Sequence, residues 1–345
     1  MHRKPTILDV ARLAGVSKST VSRVLQGNDA PVAETTRQQV LVAMEQLGYA
    51  HNAVASSLRT NRTNMVMLLI PNIDNPFWPG VARGLQDTLA AAGYAVVFAN
   101  SDWNAGQEKA LLEMARRNRF DAIAINPAYV PPAELAALGV PTVILGLRQH
   151  YAEFDMAGSD SYQGTLLALH YLYQLGHRRI GLIGGNRGNS RSRLRAYHDF
   201  HASRKLPVDE ELIAAAPYTV EGGRLAAEQL LRQDRRPTAI FAANDVLALA
   251  AIQVAFDLRL RVPKDISIVG MDDIESAGTS TPRLTTVAKD KYEIGRRAAR
   301  FLLARLDGLT PAEPQRAVVA CRLIERQSAG PPQTQAHSIR KEASS

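Results

Sequence analysis

Between residues 65 and 273 short apolar runs alternate with helix-period segments, and this alternation limits the possible folds more than any other feature. MVMLLI precedes a helical pattern over 81–92, YAVVFA one over 107–117 and DAIAIN one over 133–138, and PTVIL ends that series. A second series runs from the helical pattern 161–175 through RIGLIGG, 193–204, 220–231, TAIFAAND and 245–256 to ISIVGMDD. Unbroken apolar runs of strand length, each followed by a helix, suit strands buried on both faces; the pattern therefore predicts parallel sheets flanked by helices. Some 260 residues of such texture is long for one sheet and natural for two similar lobes, with the junction expected near 158–161. A helix over 292–306 and a strand AVVAC are expected to complete them. The expected N-lobe is then 65–160 with 290–318, and the C-lobe 161–289 with 319–329. Residues 330–345, GPPQTQAHSIRKEASS, are weakly hydrophobic and read as a disordered tail without the leucine heptads of a coiled coil.

Ahead of the lobes lies TILDVARLAGVSKSTVSRVL. Ile7, Val10, Ala11 and Ala14 have helical spacing, and Gly15-Val16 supplies a break. Ser17 can cap a second helix with Val21, Val24 and Leu25 on its inner side. Two short helices joined by a Gly-containing turn make a helix-turn-helix. Its outer face carries Lys18, Ser19, Thr20, Ser22 and Arg23, side chains suited to phosphates or base edges. A plain helical hairpin with a solvated polar face would share this pattern. A third helix is expected over 34–47, with Val40, Leu41, Met44 and Leu47 inward and Gly48-Tyr49 as its end, closing a headpiece of residues 1–50. Residues 51–64 offer little to bury, so they read as a short helix ordered only by docking, or as a polar linker. Half of the net charge of +8 comes from residues 1–62, where eight Lys/Arg face four Asp/Glu, a modest footprint for a polyanion partner.

Other classes are disfavoured. The single cysteine, Cys321, cannot form an internal disulfide or a multi-cysteine metal site, and its apolar run suggests a buried inert thiol. The start MHRKPT lacks an apolar signal segment, and no run approaches the roughly 20 apolar residues of a membrane helix, so a cytoplasmic protein without membrane contact is expected. GGNRGNS at 184–190 lacks the Walker lysine, and no GxGxxG follows a first strand. Asp272 and Asp273 are adjacent, a poor geometry for paired acid–base work. His198 and His201 lack a third metal ligand, so an exposed helix face is expected there. The residues imply no catalytic set, no cofactor and no metal, hence no enzyme. A transport-type solute-binding protein would need a secretion signal and would not need the headpiece.

In order along nearly the whole chain, DVARLAGVSKSTVSRVL, TRQQVLVAMEQLGY, NAVASSLRT, DNPFWPGVARGLQDTLAAAGY, LGHRRIGLIGG, RPTAIFAANDVLALAAIQV, RVPKDISIVGMDD, TPRLTTV and RLIERQS resemble the lactose-repressor (LacI/GalR) family of bacterial transcription regulators. The resemblance implies an all-α DNA-reading headpiece, a hinge helix, and a two-lobed α/β domain like periplasmic sugar-binding proteins. It implies a regulator, most often a repressor, acting as a homodimer or dimer of dimers on pseudo-palindromic double-stranded operator DNA under a small carbohydrate-type effector.

Carried onto this chain, it places Lys18, Ser19 and Arg23 on base edges and Ser17, Thr20 and Ser22 on phosphates. Thr6, Asn28 and Thr36 are further phosphate candidates, and Leu58 matches a hinge leucine that wedges into the minor groove. For the effector it implies Arg195, Asn244, Asp272 and Tyr218, with Asn189 and Arg191 added. Phe77 and Trp78, in an NPFW loop after the first strand, can stack on a ring or simply pack. Asp160 is expected to order the interlobe region. Two departures stand out: Gly146 replaces an acidic residue common after the fourth strand, and Lys289 occupies a position where a neutral side chain is common. Together with Arg191 and Arg195 they favour an anionic effector, a sugar acid or phosphorylated sugar, over a neutral sugar.

Overall fold

A computed structural model describes residues 5–25, 32–49, 62–185, 191–309 and 313–333. The chain divides into two compact units, Met1–Thr63 and Asn64–Ser345.

In the first unit, helix α1 (Ile7–Leu13) starts from a capping box. The Thr6 N–H donates to Asp9 Oδ2 at 2.8 Å while the Asp9 N–H donates back to Thr6 Oγ1 at 3.4 Å. It ends at Gly15, whose φ of +66° lets the Val16 N–H reach the Ala11 carbonyl at 3.0 Å. Helices α2 (Lys18–Leu25) and α3 (Glu34–Leu47) follow, and Val10, Ala11, Val21, Val24, Val40 and Ala43 form the core. Leu41 does not join it: it is exposed, and Ala43 takes the inner place. At about 100° per residue, 40, 43, 44 and 47 share one stripe and 41 falls outside it.

The second unit holds two six-stranded sheets of one topology. Strands β1 (Met65–Ile70), β2 (Ala95–Asn100), β3 (Ala122–Ile125), β4 (Thr142–Leu145), β5 (Asp155–Ser159) and β11 (Arg316–Val319) form the first, in the order β2-β1-β3-β4-β5-β11. Strands β6 (Ile180–Gly185), β7 (Ile213–Ala216), β8 (Ala239–Ala242), β9 (Ser267–Asp272), β10 (Thr285–Lys289) and β12 (Cys321–Ile324) form the second, in the order β7-β6-β8-β9-β10-β12. Neighbours run parallel, as in Val66↔Ala122 and Ile180↔Ala239, except that β12 is antiparallel to β10. The strand order reverses between β1 and β3 and between β6 and β8, and such switch points open a crevice at the carboxyl ends of the strands.

Several strands were not legible as apolar runs. DMAGS, IAAA and TTVAK are strands because they pair with formed neighbours, although their own composition is poor in large β-formers. AVVAC is not one strand: Val319 belongs to the first sheet and Cys321 to the second, with Ala320 between them. The chain also crosses between sheets after β5 and after β10.

Helix α4 (Phe77–Ala90) begins at Phe77, so NPFW is a helix start rather than a loop. It packs on α12 (Lys291–Leu306) through glycine: a Cβ on Gly295 would lie 1.9 Å from the Val81 carbonyl oxygen, and one on Gly84 2.0 Å from that of Tyr292. The expected tail starts too early at 330. The Gly330 N–H donates to Ser267 Oγ at 3.0 Å, and its carbonyl accepts from His177 Nε2 at 2.9 Å; residues from 334 lie outside the described set. His201 is buried, with Nδ1 2.8 Å from the Tyr197 carbonyl oxygen, rather than on an exposed face. Cys321 is half-buried, 3.6 Å from the Asp160 carbonyl oxygen. Among the described residues no helix is long and apolar enough to cross a membrane.

Candidate functional site

The first candidate surface is α2. Ser17 caps it by accepting the Thr20 N–H at 3.1 Å, and its Oγ lies 2.7 Å from Ser19 Oγ and 2.8 Å from Thr20 Oγ1. Val21 and Val24 face the core, which leaves Ser17, Lys18, Ser19 and Arg23 exposed and Thr20 and Ser22 half-buried. The helix thus carries a hydroxyl cluster with Lys18 at its start and Arg23 in its last turn, chemistry that suits a phosphate backbone and purine edges. Thr6 sits apart from this set, its hydroxyl donating to Asp9 Oδ2 at 2.7 Å. Thr36 is half-buried near the start of α3, while Asn28 and Leu58 lie outside the described residues.

The second is a cleft of about 760 Å³ at the strand ends of both sheets. Phe77, Trp78, Arg191, Arg195, Tyr218, Asn244, Asp272 and Lys289 all line it, from segments as distant in sequence as 77 and 289, and Asn189 lies outside the described residues. Trp78 is mostly core, edge-on to Phe77 at 5.1 Å between centroids. Asn244 caps α10 (Asp245–Asp257): its Oδ1 accepts the Leu247 N–H at 3.0 Å, while its buried Nδ2 has no acceptor among the described residues.

Lys289 does not stand as a free ammonium. Its Nζ lies 2.9 Å from Asp272 Oδ1, both side chains being 6% exposed, and 5.5 Å from the Phe77 ring centroid. Burial pulls the Lys289 pKa down, and the Asp272 charge pulls it back up. Asp272 is correspondingly a counter-ion as well as a cleft residue. Asp160 caps α7 (Ser161–Gln174), accepting the N–H groups of Tyr162 and Gln163.

Arg195 and Arg193 divide differently than the sequence suggested. Arg195 is exposed, its guanidinium 4.8 Å from the Tyr162 ring centroid, at the rim. Arg193 is buried in the cleft and donates from Nη1 to the Tyr218 hydroxyl at 3.5 Å. The signal was present: on α8 (Arg191–Ser203) residues 193, 196, 197 and 200 share one helical stripe, which is buried.

Arg148 was also missed. It donates to Asn126 Oδ1 at 3.0 Å and to the Pro127 carbonyl, and burial lowers its pKa to about 10. Nothing local predicts its burial. Trp103 and Tyr129 complete the N-lobe wall, joined by the Tyr129 hydroxyl donating to the Trp103 carbonyl at 2.8 Å. The loop bearing Tyr129 is fixed by the buried Glu108 carboxylate, which accepts the N–H groups of Ala128, Tyr129 and Val130 at 3.0, 3.2 and 2.8 Å. Burial pushes the Glu108 pKa up against those donors. The lining carries five cationic side chains (Arg148, Arg191, Arg193, Arg195, Lys289) against the carboxylates of Asp160 and Asp272.

Comparison with known proteins adds the following. Residues 6–52 match the model of bacterial regulatory proteins of the lacI family, and residues 169–329 that of a periplasmic binding protein-like domain. The HTH-type transcriptional repressor PurR of Proteus mirabilis (strain HI4320) is 36% identical over 330 residues, 94% of this chain and 96% of that one. The lac repressor dimer bound to operator and the anti-inducer ONPF is 26% identical at a TM-score of 0.83, covering 95% of this chain and 100% of that chain. A complex of the transcriptional regulator CelR with cellobiose is 30% identical at a TM-score of 0.72, covering 94% and 100%.

Proposed function

This chain belongs to the lacI family of bacterial regulatory proteins, and on that premise we propose that it is an operator-binding repressor whose DNA affinity is set by a small anionic carbohydrate, a sugar acid or sugar phosphate, bound in the two-lobed cleft. The observation that carries the reading is the convergence in one cleft of Arg193, Arg148, Lys289 and the Asn244 amide donor, which has no acceptor among the described residues, in a chain that also has the α2 face. Arg193 supplies a guanidinium fork for a carboxylate or phosphate, and the Phe77, Tyr218, Trp103 and Tyr129 rings supply stacking area. The effector prefers one lobe arrangement, and that preference is the free energy by which occupancy changes DNA affinity.

The test is a footprint on genomic DNA followed by operator titrations with a panel of sugars, sugar acids and sugar phosphates. One or more acids shift operator affinity in the wild type, and Arg193→Ala removes the shift while Arg195→Ala, at the rim, reduces it less. A chain without preference for any duplex site would be a solute binder or an enzyme, and the proposal would fail. On the DNA side Arg23→Ala loses about 1–3 kcal/mol of discrimination between operator and scrambled duplex, the worth of a bidentate guanine contact. Equal loss on both duplexes would reduce Arg23 to a phosphate contact.

We place the homodimer contact on α9 (Val220–Leu231) and α10, on the argument that these two helices together carry three strongly exposed apolar side chains: Phe256 at 79%, Leu225 at 61% and Val220 at 56%. The Arg224–Asp257 bridge, 3.1 Å long, ties the two helices where Leu225 and Phe256 lie and gives the patch both charge signs, as a self-complementary surface needs. Phe256→Glu is expected to sediment as a monomer at micromolar concentration and to bind operator more weakly. An unchanged sedimentation coefficient would move the contact elsewhere.

A further inference from the structure

We infer that Asp272 is an internal stand-in for the acid group of the effector, held on Lys289 until that group exchanges with it; this rests on the cleft being the effector site. The family resemblance made Asp272 an effector residue, and the geometry gives it another task.

Four observations support the exchange. First, Lys289 is buried, and a buried ammonium requires a compensating charge, which among the described residues is Asp272 at 2.9 Å. Second, the contact runs through one carboxylate oxygen, Asp272 Oδ1 at 2.9 Å from Lys289 Nζ, a place that a ligand oxygen can take.

Third, the carboxylate is presented by a strained turn, with φ of +113° at Asp272 and +54° at Asp273. Lys291 Nζ donates to both their carbonyls at 2.7 Å, Arg326 Nη2 donates to Asp273 Oδ1 at 2.7 Å, and Asp245 Oδ2 accepts the Ile274 N–H at 2.9 Å. Such a conformation persists only when its surroundings enforce it, and strain of this kind concentrates at ligand sites. Fourth, a donor in the same cleft lacks an acceptor. The Asn244 Nδ2 is buried without one among the described residues, and Arg193 lies near enough to lower the Lys289 pKa through charge. Lys289 and Arg193 thus bring two cationic groups to the cleft, with Asp272 on the first.

Inorganic phosphate is the probe, titrated calorimetrically into the full-length protein, with D-gluconate and D-glucose in parallel. Asp272→Asn removes the internal competitor and leaves Lys289 uncompensated, so it binds phosphate and gluconate about tenfold or more tighter than wild type, with no gain for glucose. Lys289→Met binds phosphate at least about tenfold more weakly, and combining it with Asp272→Asn cancels the gain. Cooperative melting of each variant establishes that it folds, and if Asp272→Asn does not, Asp272→Ser, which also removes the carboxylate, takes its place with the same expected gain. Unchanged or weaker phosphate binding by folded Asp272→Asn overturns the inference. If Arg193→Ala still loses phosphate in that case, the anionic-effector reading survives and only the stand-in role falls. If Arg193→Ala binds phosphate as wild type does, both fall.

Discussion

Gly295→Ala destabilises the two-lobed unit by about 3 kcal/mol, the upper range for overpacking a tight contact. The added methyl would sit 1.9 Å from the Val81 carbonyl oxygen and 2.7 Å from the Leu85 nitrogen, both backbone atoms of α4 that cannot swing aside. Relief requires α4 and α12 to separate along their whole contact, which opens the core formed by Val81, Leu85, Ile294, Ala298 and Leu302. Alanine's better helix propensity returns at most about 1 kcal/mol. Gly106→Ala, also on a helix, is the control: its new methyl meets the Asn104 side chain at 3.3 Å and no backbone, so stability changes by no more than about 1 kcal/mol. Urea unfolding of both variants measures the difference. Equal midpoints for Gly295→Ala and wild type would mean that the helices do not approach this closely.

The second large effect is a pH dependence centred on Asp245. This side chain is fully buried; its Oδ1 accepts the Thr286 hydroxyl at 2.5 Å and its Oδ2 the Ile274 N–H. A Cβ on Gly270 would come within 2.2 Å of Oδ1, so the glycine makes room for the carboxyl. Burial, reinforced by the Asp272 charge, pushes its pKa up to about 7, while the two hydrogen bonds pull it down. The folded state therefore keeps this proton at pH values where the unfolded chain has lost it. Stability from this group is full below the unfolded carboxyl range and is lost as pH rises towards about 7.

Glu108, also raised by burial, acts in the same direction. His170, His177 and His201, whose pKa values burial lowers, act in the opposite one, favouring the fold as pH rises through the histidine range. The clean readout is hence the difference between wild type and Asp245→Asn. That difference moves against wild type by about 3 kcal/mol from about pH 5 to about pH 8, since each pH unit of unequal protonation is worth about 1.4 kcal/mol. Parallel stability curves for the two proteins would mean that Asp245 is ionised throughout that range.

Much was legible without coordinates because it is written in local patterns. The period-3.6 stripes at 7–14 and 40–47, the glycine stops at Gly15 and Gly48, the Ser17 cap and the strand-helix alternation all act over a few residues, so they can be read from a few residues. The cleft residues Phe77, Trp78, Asn244 and Asp272 were legible through family motifs, and Lys289 through its departure from the family pattern.

What the chain alone did not decide were matters of partnership. Whether DMAGS or TTVAK becomes a strand depends on the neighbour it pairs with, and whether Val319 and Cys321 share a sheet depends on where the chain crosses between lobes. Charge followed the same rule. Lys289 could be recognised as an unusual cation from its position, but its meaning came from Asp272, 2.9 Å away and 17 positions earlier. Sequence settles what short-range geometry and burial preference demand. Only the tertiary structure settles which buried charges meet, because electrostatic partners are chosen by distance in space and the chain holds no record of it.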